Sequence, residues 1–197
     1  GVSILMLKFF IELMASPAAT IRDFAFQDVM LQVAVILTPA LILTFGLTTS
    51  PTQTLRLRIS SVKVLFAIPA AALLAVVLHP TIGALRGAVM KLYPIREDLM
   101  GQLEGLQSMF TEPPLWQALA VIALAPAICE ELAFRGFILS GFRHLGRKWR
   151  AILFSAVFFG LAHGMLQQSI IACIVGTVIG YIAVQTGSIW PCMAFHL

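Results

Sequence analysis

Hydrophobic positions in this chain come in long unbroken runs, not in the alternation of half-buried strands or the narrow stripes of soluble helices. Leu31 to Leu47, Val64 to about Leu85 and Leu115 to about Phe142 are each close to what a helix needs to cross hydrocarbon. That requirement is about 20 mostly apolar residues, because every backbone amide must be satisfied within its own segment. Ala151 to about Met165 and Ile170 to Val184 follow the same pattern. Val2 to Met14 reads as the remains of a further helix, and Ile189 to Leu197 as the opening of one cut short. The pattern breaks between Arg86 and Phe110, where Arg96, Glu97, Asp98 and Glu104 predict an amphipathic surface helix or ordered loop. The fold class this implies is all-α, a polytopic transmembrane helix bundle.

Composition agrees. Of 197 residues 59% are apolar and 11% charged, with a mean hydropathy of +0.95, which excludes a disordered chain. A net charge of only +4, with no basic face, argues against nucleic acid as a partner; the lipid bilayer is the partner expected instead. The basic residues set orientation. Arg143, His144, Arg147, Lys148 and Arg150 form the densest cluster, Arg56, Arg58 and Lys63 the next, and two spans separate them. Both are expected on the cytoplasmic side, with the Arg86 to Glu112 connection outside. Trp116, Trp149 and Trp190 fall at predicted helix ends, suited to the headgroup level. His79, before Pro80, is expected at an outer helix end. Ala172, Gly176 and Gly180 put a small-residue stripe on one helix face for close approach of a neighbour. Cys129, Cys173 and Cys192 are widely spaced in apolar runs and read as buried small residues. The start at Gly1 and the end inside an apolar stretch read as a fragment of a longer protein.

Ionisable residues inside the spans carry the chemistry. Glu130 and Glu131 interrupt an apolar helix, at a cost of roughly 2.5–3.5 kcal/mol each even on a lenient scale. Arg135, four residues after Glu131, can pair with it on one helix face. Glu130 points about 100° away and has no charged partner in its own helix. His163 lies 12 residues beyond Ala151, as Glu130 lies 12 before Phe142, so both are expected roughly 18 Å from the shared basic loop. Phe159, one turn before His163, is placed to wall the imidazole. His196, eight residues past Ser188, is the third such group.

A carboxylate and a histidine in one dry pocket suit hydrolysis: the first takes a proton from water, the second holds that water, and another histidine can donate to an oxyanion. One Glu and two His also suit a zinc site, and the spacing leaves both open, although no H-E-x-x-H pattern is present. A Cys129 nucleophile served by His163 is a further arrangement, opposed by the apolar setting, which makes a thiol inert. The same buried residues also serve a proton relay, an ion path or an interhelical network, so a transporter, permease or immunity component is the alternative function.

Glu130-Glu131-Leu132-Ala133-Phe134-Arg135 resembles the E-E-x-x-x-R motif of the CPBP intramembrane proteases, also called Abi, a group that includes CAAX-processing endopeptidases and bacteriocin-related enzymes. Phe159 to His163 resembles the F-x-x-x-H motif, and Trp190-Pro191 with His196 the start of H-x-x-x-N, whose asparagine would fall three residues beyond Leu197. The resemblance implies a domain at 115–197, preceded over 1–114 by further transmembrane helices and the amphipathic connection. It implies Glu130 as general base, His163 orienting the water, Glu131 held by Arg135, and His196 at the oxyanion. No metal or other cofactor is implied by the better-supported reading of the family. The expected substrate is a membrane-associated or lipidated peptide, and the expected location a bacterial plasma membrane. Leu55-Arg56-Leu57-Arg58 also resembles the junction of chains that fuse an ABC-transporter permease to such a domain.

Overall fold

A computed structural model describes residues 21–59, 61–95, 97, 100–101, 114–143 and 146–197. The expected helix at Val2 to Met14, His144, and most of the amphipathic stretch after Arg96 lie outside these residues. The described residues form helices and no strand: α1 (Asp23–Leu47), the short α2 (Pro51–Thr54), α3 (Val62–Leu92), α4 (Trp116–Arg143), α5 (Lys148–Leu161), α6 (Leu166–Thr186) and α7 (Trp190–His196). Four of them, α1, α3, α4 and α6, are long and apolar enough to cross a membrane.

The ends follow local chemistry. Ser61 caps α3 by accepting from the Val64 amide. Gly187 closes α6 at φ 67°, a left-handed position that favours glycine. Pro191 sits in the first turn of α7, where its missing amide proton costs nothing. Both α1 and α4 widen to π-helical turns, over Leu31–Leu37 and Ala120–Leu124, just ahead of Pro39 and Pro126, each of which removes one i−4 hydrogen bond. A third widened stretch, Glu131–Ile138, contains no proline and holds Glu131 and Arg135.

Two expectations change. The helix expected to end near Leu85 runs on to Leu92, so Arg86 belongs to the same helix as the span and not to a separate surface helix or loop, and His79 and Pro80 lie in the helix interior. At about 1.5 Å per residue this 31-residue helix is roughly 46 Å long, which exceeds a bilayer core. The span expected from Ala151 to Met165 is instead a 14-residue helix ending at Leu161, and His163 sits in the turn that follows. Gly164, at φ 70°, makes that turn possible.

The helices pack as one bundle in which both halves of the sequence take part. Ala71 of α3 shares a core with Leu139, Ile152, Ile179, Cys192 and Phe195, while Ala40 of α1 packs with Ala133, Phe134 and Phe159. Cys129 and Cys192 are buried as free thiols, and Cys173 is half-buried. The two basic connections meet at one end. Arg56, 3% exposed, donates to the Ala183 carbonyl at 2.7 Å and to Ser140 Oγ at 3.3 Å, and Ser140 Oγ donates to the Thr54 carbonyl at 2.8 Å. Burial, and behind it the Arg143 charge, lowers Arg56 from 12.5 to about 10, so it stays cationic at neutral pH. Its carbonyl accepts from the Ile189 amide at 3.0 Å, which ties this connection to the start of α7.

Helices α5 and α6 approach closely. A Cβ on Gly160 would run into Cys173 Sγ and lie 2.7 Å from the Ser169 carbonyl oxygen; one on Gly176 would lie 3.0 Å from the Phe159 ring and 3.3 Å from the Arg135 guanidinium. Gly160→Ala should therefore cost about 3 kcal/mol, the upper part of the overpacking range, because backbone cannot yield as a side chain can. Gly83→Ala, with nothing within 4 Å, is the control and should not destabilise. Thermal unfolding of the two variants in detergent checks this; equal midpoints would mean that the helices are not in close contact.

Candidate active site

The site is built around the middle of α4. Glu131 is fully buried, and its Oε1 accepts from the Arg135 guanidinium at 2.9 Å and from His196 Nδ1 at 2.8 Å. The spacing of four residues lets the Glu131–Arg135 pair form within one helix, whereas His196 arrives from α7. Arg135 is also fully buried. Its second nitrogen donates to the Gly176 carbonyl at 3.3 Å, and its guanidinium lies 4.1 Å above the centre of the Phe159 ring. Gly176 is thus needed twice, for a carbonyl within reach and for the space above Phe159. Glu131 Oε2 and Arg135 Nε are buried without a protein partner among the described residues.

Glu130 has a different setting. Its Oε1 accepts from Gln32 Nε2 of α1 at 2.9 Å, and its Oε2 faces His196 Nε2 at 3.9 Å. That gap is too long for a hydrogen bond and short enough for one small group to touch both. The His196 ring therefore lies between two carboxylates, with Nδ1 on Glu131 and Nε2 toward Glu130. Since a carboxylate accepts, Nδ1 carries a proton.

His163 reaches this cluster through an aromatic ring. Its Nδ1 lies 2.9 Å from the Phe159 carbonyl, which, as an acceptor, fixes the proton on Nδ1 and turns Nε2 outward. The imidazole meets the Phe159 ring edge-on with centroids 4.9 Å apart; His196 meets the same ring at 5.9 Å. Among the described residues His163 makes no ion pair with Glu130. Both histidines line one cavity of about 360 Å³, within the range of small-molecule sites and walled mainly by apolar groups. It lies at the end of the bundle away from Arg56 and Arg143, where Gln167 Nε2 donates to the Tyr93 carbonyl at 2.8 Å and holds α6 to the end of α3. No three His, Cys, Asp or Glu side chains are grouped as ligands for one ion among the described residues.

The tertiary structure thus brings Glu130, Glu131, Arg135 and His196 into one connected cluster and sets His163 beside it across Phe159. Reasoning from the sequence left out Gln32, the hydrogen-bond donor to Glu130, and Asp28, which lies one turn before Gln32 on α1 with a buried Oδ2 that has no partner among the described residues. Two polar residues four apart in an apolar helix were the available sign, and beginning the span at Leu31 hid Asp28. Over residues 112–197 the sequence matches the family described as Rce1-like, type II CAAX prenyl endopeptidase Rce1-like. No curated protein and no solved structure matches the chain.

Proposed function

We propose, from the match of residues 112–197 to the Rce1-like type II CAAX prenyl endopeptidase family, that this chain is a membrane-embedded endopeptidase in which Glu130 activates water against a peptide carbonyl. The observation that carries the assignment is the unequal setting of two adjacent carboxylates. Glu131 is committed to Arg135 and His196 through one oxygen and is sealed from the cavity, so it serves to hold the His196 ring. Glu130 keeps one oxygen on Gln32 and turns the other toward His196, which lines the cavity.

The chemistry then runs on the chain's own groups. Water between Glu130 and the histidines gives a proton to Glu130 Oε2 while its oxygen attacks the carbonyl carbon. His163, with Nε2 facing the cavity, holds that water. His196, braced through Nδ1 by Glu131, presents Nε2 to the oxyanion. Collapse of the intermediate breaks the C–N bond, and the proton held by Glu130 passes to the leaving nitrogen. Positioning and preorganised donors supply the rest of the rate enhancement.

The test is cleavage of a prenylated peptide ending in a CAAX sequence by the intact protein in liposomes, with products identified by mass spectrometry. A new carboxyl terminus after the prenylated cysteine is the expected result. Proton flux across the liposome without peptide cleavage would place these residues in a relay instead.

A further inference from the structure

Beside Glu130, two buried acceptor atoms are left without a donor. Gln32, 6% exposed, gives Nε2 to Glu130 Oε1 at 2.9 Å, while its own Oε1 is buried with no hydrogen-bond partner among the described residues. Asp28, half-buried one turn earlier on α1, has its Oδ2 in the same condition. Residues four apart share a helix face, and this face is the one that meets Glu130 of α4. A carbonyl oxygen and a carboxylate oxygen only accept, so the two satisfy each other only with a donor between them, and burying both unpaired is costly. The sense of the Gln32 amide matters too: turned over, it would set a carbonyl against the carboxylate that acts as base.

We propose that Asp28 is a positioning residue for the reaction: through its own hydroxyl or a water it holds, it supplies the donor that fixes Gln32 Oε1, and so keeps the amide turned with Nε2 on Glu130. This rests on the reading of Glu130 as the base and adds to it a support carried by α1, outside the region matched to the family. With Oε1 held on Gln32, Glu130 keeps Oε2 toward His196. A base that swings loses the alignment on which proton transfer depends. Neither Asp28 nor Gln32 lines the cavity, so the effect belongs to turnover and not to substrate binding.

The experiment measures kcat and KM on the prenylated peptide with the intact protein in liposomes. Asp28→Leu should lower kcat by roughly 10-fold with KM unchanged, the low end of the loss of a hydrogen bond to a charged group. Asp28→Asn should stay within about twofold of the wild type, because its amide donates to Gln32 Oε1 directly. In a Gln32→Met background Asp28→Leu should cost nothing more, since the two residues act as one unit. Wild-type kcat in Asp28→Leu overturns the proposal, as does a loss through KM or an additive loss over Gln32→Met. An Asp28→Asn as slow as Asp28→Leu assigns the carboxylate to proton transfer and also overturns it. The side-chain amide resonance of Gln32, in protein carrying isotope-labelled glutamine and identified by its loss in Gln32→Met, gives the same answer without turnover. It should move in Asp28→Leu and hold in Asp28→Asn; a resonance unmoved in Asp28→Leu overturns the proposal whatever the rates. Failure of the Glu130 reading looks different, since Glu130→Gln would then still cleave while the Gln32 resonance of the otherwise wild-type chain still answered to Asp28.

Discussion

Glu130→Gln should lower the rate of peptide cleavage by roughly 10²–10⁴-fold while leaving the fold intact, the loss expected when a general base is removed. The two halves of that expectation come from different contacts. Gln keeps a carbonyl oxygen for Gln32 Nε2, so the α1–α4 contact at 2.9 Å survives, and the shape of the side chain is unchanged. What disappears is the ability to take a proton at the oxygen that faces His196. Single-turnover cleavage with matched thermal unfolding curves checks both halves. Cleavage retained by Glu130→Gln would remove it as the base, whatever the stability.

Changing the neighbour should have the opposite profile. Glu131→Gln leaves the fully buried Arg135 without its counter-ion and weakens the acceptor for His196 Nδ1, and breaking a buried pair from one side typically costs about 3–5 kcal/mol. Arg135→Gln strands the carboxylate instead and also loses the Gly176 carbonyl and the face of Phe159, so it should be at least as damaging. Arg135→Lys should recover only part, since one ammonium cannot serve Glu131, Gly176 and the ring together. Unfolding midpoints of the three variants, measured beside Glu130→Gln, separate holding from chemistry. If Glu131→Gln unfolds like the wild type, the buried pair is not what orients His196.

The parts of the site that could be read from the sequence are those governed by local geometry. The Glu131–Arg135 pair follows from helix spacing alone, as does the placement of Phe159 one turn before His163. The small-residue stripe at Ala172, Gly176 and Gly180 is equally local, and in the structure Gly176 and Gly180 are where α5 and α4 side chains come within a Cβ radius of α6. The limits of α3 and α5 were not legible in this way. Hydropathy does not distinguish a helix that stops at Leu85 from one that runs with Arg86 to Leu92, because a terminal arginine can reach out to water from either. Nor does it show that α5 ends at Leu161, since the turn through His163 depends on the left-handed Gly164 and on α6 folding back at once.

The sequence by itself determined that this is an all-helical membrane protein with a pair of carboxylates in mid-helix, because the bilayer requires every backbone group in a span to be satisfied locally and makes every exception conspicuous. Only the tertiary structure decided which side chains those carboxylates meet. Gln32 lies 98 residues before Glu130 and His196 lies 65 after Glu131, and no periodicity links them. Their meeting depends on how α1 and α7 dock against α4 and α3 against α7, a choice made by the fit of apolar side chains and small residues between helices, while the polar contacts at the centre are its consequence.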